Sequence, residues 1–215
     1  VVEGKEISKY YKTEALINDD SYYIGNTRID SGLSSSNLYR SCMRDMEKTK
    51  PNIFDIYTKN PESCKLVIML DNDGKLLSRA LLWKINISFG DDKLNLPDTF
   101  WFMDRVYSVK DWMNDSMQKF ANKNNYVYKA YMSSNIVYMN GVVGRCDMEV
   151  DVKKIGYKGF PYMDTFIYYD VKNGKLRNFD TPEFKGFNLQ STRGEYYSTS
   201  GYGPVFRNYI RRFKK

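Results

Sequence analysis

Cysteine, arginine, aspartate and tyrosine are the side chains here with chemistry to offer, and histidine is missing from all 215 residues. That absence excludes a Cys-His or Ser-His dyad and any metal site that depends on imidazole. The cysteines are Cys42, Cys64 and Cys146, odd in number and far apart. With no CxxC pair, a zinc ribbon and a thioredoxin motif are excluded as well, and no metal or other cofactor is expected. An arginine cannot stand in for the missing base, because its guanidinium keeps its proton. It can lower a nearby thiol's pKa by charge, or clamp a carboxylate or phosphate. The one constellation that could be catalytic is Cys42, Arg79 and Asp104. Candidates for binding an anion are Arg44, Arg105 and the C-terminal run Arg207, Tyr209, Arg211, Arg212, Lys214 and Lys215.

Other motifs carry less. Asp71-Asn72-Asp73-Gly74 resembles the opening of a calcium loop, but position 12 is Leu82 rather than a glutamate, so a turn is expected. Neither GxGxxG nor GxxxxGK[ST] occurs, which removes the usual phosphate-binding loops.

Composition narrows the partner. Lys and Arg number 33 against 26 acids, for a net charge of +7. Such an excess favours nucleic acid, a membrane surface or an acidic partner. The 19 tyrosines fit either a β-rich core with tyrosines at its rim or a stacking surface for bases. The longest apolar stretches, 66–70 and 80–83, are too short to span a bilayer. Few, widely spaced cysteines suit a reducing cytosol.

The elements that must position these residues follow from periodicity. Leu38, Cys42 and Met46 recur every four residues, which predicts a helix over 37–48, stopped at Lys50-Pro51. Residues 54–57 read as a short strand. Residues 64–70 and 75–87 read as a hairpin around the Asp73-Gly74 turn. A strand over 100–107 precedes a second helix, capped by Ser108 and running to Lys123, with Trp112, Met113, Met117, Phe120 and Ala121 as its apolar stripe. Residues 126–132, 136–139 and 148–152 read as strands, and 165–170 with 175–179 as a hairpin turning at Lys172-Asn173-Gly174. The sum is an α+β fold, a predominantly antiparallel sheet with two main helices. It divides into a polar N-terminal segment (1–36), a core domain (37–186) and a basic, Tyr-rich tail (187–215).

Four segments form an ordered set: Ser41-Cys42-Met43-Arg44, Arg79-Ala80-Leu81-Leu82-Trp83, Phe102-Met103-Asp104-Arg105-Val106-Tyr107 and Pro161-Tyr162-Met163-Asp164-Thr165-Phe166. With Asp55-Ile56-Tyr57 and Asn60-Pro61, this set resembles a family of uncharacterised proteins of tailed bacteriophages, over roughly residues 10–169. The resemblance implies viral origin, and a place in the host bacterial cytoplasm or the virion. It carries no established activity. The order of Cys42, Arg79 and Asp104 also resembles papain-like and transglutaminase-like folds. These place a cysteine at a helix N-terminus, a basic partner on the next strand and an acid on the strand after. Arg79-Ala80 falls where such enzymes carry His-Ala.

The expected function is a non-enzymatic phage accessory or virion-associated protein that binds an anionic partner, nucleic acid first. One alternative is a cysteine-protease-like or transglutaminase-like enzyme or pseudoenzyme using Cys42. Another is an inhibitor of host defence that binds a host protein or a phosphorylated small molecule, for which a pocket lined by Arg and Tyr would speak. The plain structural reading makes Cys42 a buried helix residue, Arg79 with Asp104 an ion pair of the sheet, and the tail a solvated terminus.

Overall fold

One long strand, buried on both faces along its first half, organises the molecule. The computed structural model describes residues 1–16, 21–24, 27–30, 36–130, 135–157, 159–180, 185–188 and 196–198. In chain order the strands are β1 (Val2–Glu3), β2 (Ser21–Ile24), β3 (Thr27–Asp30), β4 (Cys64–Leu70), β5 (Leu76–Gly90), β6 (Thr99–Met103), β7 (Tyr107–Ser108), β8 (Val127–Lys129), β9 (Ile136–Met139), β10 (Val142–Asp151), β11 (Tyr168–Asp170), β12 (Lys175–Arg177), β13 (Lys185–Asn188) and β14 (Tyr196–Ser198). The helices are α1 (Glu6–Lys9), α2 (Met46–Thr49), α3 (Asp55–Thr58) and α4 (Trp112–Lys123). This is an α+β fold in which strands predominate, and none of the described helices is long and apolar enough to cross a membrane.

The central strand β5 runs 15 residues and uses both edges twice. Along one edge its first half pairs antiparallel with β4 and its second half with β10. Along the other edge it meets β7 and then β6. Because β6 pairs with β8, β8 with β9, β9 with β10 and β10 with β5, five strands close into a barrel. A register shift at Asp147/Met148 marks a bulge where β10 joins β5, a common way for a sheet to bend toward closure. The parallel contact is β6–β8, and its connection is α4, as a parallel pair requires a crossover.

Alternation sorts the two faces. Leu77, Trp83 and Ile85 of β5, with Phe102, Val127 and Val137, face the principal core. Ala80 and Leu82 face the other way, onto Met117 and Ala121 of α4. Rings bridge the core. Tyr11 packs on Phe54 at 4.5 Å between centroids, Tyr57 meets Trp83 at 5.6 Å, and Trp83 meets Phe166 at 5.4 Å. Tyr10, Tyr11, Tyr57, Tyr128, Tyr157 and Tyr169 are all buried. These six serve the interior, while Tyr39, Tyr107, Tyr126, Tyr138 and Tyr168 are partly exposed and Tyr162 is exposed.

Several expectations need correction. Residues 37–45 form turns, and helix is confined to Met46–Thr49. Small polar side chains compete with the helical ladder there. The Ser36 hydroxyl accepts from the Tyr39 amide, the Ser41 hydroxyl accepts from the Met43 amide, and Asp45 turns left-handed at φ 55°. Residues 54–57 are not a strand, because α3 occupies Asp55–Thr58. Asn60 anchors its C-terminal end, donating to the Ile56 carbonyl at 2.8 Å and to the Tyr157 hydroxyl at 2.9 Å. Ser108 does not cap α4, which starts at Trp112. Its hydroxyl instead donates to the Asn114 side chain at 2.9 Å. Met113, Met117 and Ala121 form the buried stripe, while Trp112 is 43% exposed.

The N-terminal residues are not a separate polar segment. Strand β1 pairs with β4, and Ile7, Tyr10, Tyr11 and Leu16 sit in the principal core. The 64–87 hairpin forms as expected. The Asp71 carboxylate accepts from the amides of Asp73 (3.0 Å) and Lys75 (2.7 Å), so it closes the turn. No cluster suited to a metal occurs among the described residues.

Candidate functional site

The strand expected over 100–107 breaks after Met103, and the break opens a cleft. The Asp104 amide still bonds the Leu81 carbonyl at 2.9 Å, and the chain rejoins β5 at Tyr107, opposite Arg79. The cleft over this gap is open and small, about 30 Å³. Arg79, Leu81 and Trp83 line it from β5, with Asp104, Arg105 and Tyr107 beside them. The N-terminal segment adds Tyr11, the 36–45 turns add Ser41 and Met43, α3 adds Tyr57, and the 157–166 segment adds Tyr162, Met163 and Asp164. Every lining residue except Tyr11 belongs to the motif segments singled out in the sequence.

Arg79 is 2% exposed. Its Nη1 donates to the Tyr10 carbonyl at 2.5 Å and its Nη2 to the Ser41 hydroxyl at 3.0 Å. The Tyr11 ring lies 3.9 Å from the guanidinium carbon, and burial lowers its pKa below an arginine's usual value. Among the described residues no carboxylate pairs with it, and its Nε has no hydrogen-bond partner. The Trp83 indole N–H, on the same face of β5, is also buried without a partner. Buried donors are nearly always satisfied, so two orphans on residues lining one cleft call for a further partner, a water or another bound group.

The other charges are matched. Asp104 pairs with Lys129 at 3.7 Å, not with Arg79, which corrects the expected ion pair of the sheet. Lys129 lies on the cleft face of β8, since Val127 and Lys129 alternate together and Val127 opposes Phe102. Its ammonium donates to the Thr165 hydroxyl at 2.7 Å, which donates on to Asp104 at 2.5 Å. Burial raises the Asp104 carboxyl above the usual range, opposed by Lys129 and Thr165. Arg105 pairs with Asp164 at 3.1 Å, and the Tyr107 hydroxyl donates to Asp164 at 2.6 Å. The Tyr107 phenol is pushed up, first by burial and then by Asp164.

Cys42 is placed otherwise than expected. It sits in the turns rather than on a helix, so no macrodipole reaches it. It is exposed rather than buried, and it is not among the cleft-lining residues. Desolvation by neighbouring atoms still raises its thiol pKa, with Asp164 adding to the rise, and the lowering by Arg105 and Arg79 is smaller. Thus Arg79 and Asp104 share the cleft, and Cys42 stands beside it as a thiol rather than a thiolate. Arg105 lines the cleft. Arg44 stacks on Tyr39, 4.7 Å from the ring centroid, away from it. Arg207, Tyr209, Arg211, Arg212, Lys214 and Lys215 lie outside the described residues.

Sequence reasoning missed Lys129, Thr165 and Asp164 as partners of these charges, although Asp164 and Thr165 stood inside a quoted motif. Lys129 carried a usable signal, being a lone cation on the apolar face of a strand. No family model, curated protein or solved structure matches the chain.

Proposed function

We propose that the protein works by binding an anionic partner rather than by catalysis, and that the cleft at Arg79 is the point of recognition. The observation that carries this reading is a buried arginine with no acidic partner among the described residues and an unbonded Nε. A buried cation without a counter-ion is costly to the fold, and a bound anion offsets that cost. The lining of Arg79, Arg105, Tyr11, Tyr57, Tyr107 and Tyr162 is the Arg–Tyr pocket that speaks for capture of a small or protein-borne anion. The net charge of +7 supports nucleic acid as a partner of the surface and tail. On this reading, which the resemblance to phage proteins supports, the binding takes place in an infected bacterium or a virion. A cysteine-based activity on a papain-like or transglutaminase-like scaffold draws no support from the raised Cys42 thiol.

The test is calorimetric titration of the full chain with single-stranded oligonucleotide and with small anions, for wild type and Arg79→Met. Small-anion binding that depends on Arg79 supports the reading. Salt-sensitive oligonucleotide binding that survives Arg79→Met moves recognition to the tail. Absence of binding to every anion at low salt rejects it.

A further inference from the structure

Charge, shape and space in the cleft together select among anions. We infer that the cleft takes the carboxylate head group of its ligand in preference to a phosphate, an inference that rests on the anion-binding reading above. The charge argument comes first. Arg105 is matched by Asp164 at 3.1 Å and Lys129 by Asp104 at 3.7 Å, which leaves Arg79 as the one unmatched charge among these groups. A monoanion balances it. A phosphate monoester carries about −1.5 to −2, and the excess would face Asp104 and Asp164, both lining the same cleft.

Shape points the same way. The Tyr11 ring covers one face of the guanidinium at 3.9 Å, while Nη1 and Nη2 are each held by a protein acceptor. Each Nη keeps a second N–H, and Nε, in the guanidinium plane, is the nitrogen with no partner at all. A planar carboxylate meets that edge in plane, as it does in fork-like arginine pairs. The tetrahedral oxygens of a phosphate project out of that plane, toward the ring. The Trp83 indole N–H supplies a second unsatisfied donor in the cleft.

Space decides the size of the head group. The cleft offers about 30 Å³, and a single water takes about 10–15 Å³ on this measure. Room for two or three water-sized atoms suits the three heavy atoms of a carboxylate better than the five of a phosphate. A phosphodiester inside a nucleic-acid strand, bulky on both sides, does not reach Arg79. The rest of the ligand therefore stays outside, where Tyr162, 42% exposed, offers a ring at the cleft edge.

The carboxylate can belong to a small acid, to an acidic side chain or to a peptide C-terminus. The experiment separates these sources. Full-length protein is titrated at constant ionic strength with acetate, inorganic phosphate, a blocked peptide carrying one Glu, and a neutral peptide with either a free or an amidated C-terminus. Binding is followed by calorimetry and by tryptophan emission, since Trp83 lines the cleft.

The expected result is that at least one carboxylate probe binds tenfold or more tightly than phosphate. Arg79→Lys, which keeps the charge but loses the fork, should weaken it at least tenfold, and Arg44→Ala should leave it unchanged. Whichever carboxylate arm binds best names the source. Phosphate binding as tightly as every carboxylate, still dependent on Arg79, overturns the carboxylate inference and leaves the anion reading standing. Binding of no probe, or binding indifferent to Arg79→Lys, overturns both. Should the Arg79 variant fail to fold, the order of carboxylate and phosphate on the wild type still decides the inference.

Discussion

Two buried cations near the same cleft should respond unequally to removal, and this separates a binding arginine from a structural lysine. Arg79→Met deletes two hydrogen bonds to a charged group, about 1.5–3 kcal/mol each. It also deletes the stacking on Tyr11, worth up to about 2 kcal/mol when desolvated. It removes at the same time a desolvation penalty of several kcal/mol that no carboxylate among the described residues offsets. The two sides nearly cancel, so the unliganded protein should change stability by less than about 2 kcal/mol. Lys129→Met differs because it strands Asp104, whose side chain is 7% exposed. Breaking a buried pair in this way costs about 3–5 kcal/mol. The loss should also depend on pH. Burial raises the Asp104 carboxyl above its unfolded value, so its neutral form is the one the fold tolerates. Stability of Lys129→Met should recover as pH falls and decline as pH rises through the raised Asp104 value. The assay is urea unfolding, comparing midpoints at unchanged m-value. If Arg79→Met costs as much as Lys129→Met, Arg79 is part of the scaffold and the binding reading fails.

Further outcomes follow from single residues. Alkylation of Cys42 by iodoacetamide should show a midpoint above the ~8.5 of a free thiol, because desolvation by neighbouring atoms and Asp164 raise it; a midpoint well below that would restore the cysteine-enzyme alternative. Gly174→Ala should destabilise by about 1–3 kcal/mol from its left-handed backbone, and by more from crowding, since a Cβ would lie 2.8 Å from the Val152 carbonyl oxygen. Gly74→Ala, at φ +77° with nothing within 4 Å, should show the backbone part alone, and equal losses at the two sites would contradict this division. Asp45 accepts from the Thr13 amide and hydroxyl, which lowers its carboxyl below the usual range. That stability is present above the ordinary aspartate value and is lost as pH falls through the lowered one. Asp45→Asn should cost about 1 kcal/mol at neutral pH and flatten the acid limb of a thermal melt recorded against pH.

What was legible in the sequence was local. The 64–87 hairpin, the 112–123 helix and the 136–139 strand carry their period and turn residues within a few positions of each other. The helix expected over 37–48 had the right spacing of Leu38, Cys42 and Met46. Its backbone is claimed instead by Ser41 and the left-handed Asp45, which is itself tied to Thr13 in the segment read as polar and N-terminal. Closure of the barrel was not legible. It needs the second half of β5 to find β10 some sixty residues away, across a bulge that no local pattern announces. In the site, Arg79 and Asp104 stood out because charges on apolar strands demand partners. Which partner each would take was a tertiary matter: Lys129 arrives from β8 and claims Asp104, and Arg79 is left over.

That leftover charge is also why binding, rather than turnover, is what we propose for the cleft. A general base must sit near the operating pH and have an oxygen or nitrogen free to receive a proton. Arginine does not release its proton. The Tyr11 and Tyr107 phenols are pushed away from neutrality by burial, and the Cys42 thiol moves the same way. Asp104 moves toward neutrality, yet its Oδ1 already accepts from the Thr165 hydroxyl and the Arg105 amide and faces the Lys129 ammonium. A carboxylate pinned in this way is a poor proton acceptor for a ligand. The missing histidine therefore has no substitute among these groups. What remains is a fixed positive charge with an unsatisfied N–H, held between rings, and the anion-binding proposal rests on that arrangement.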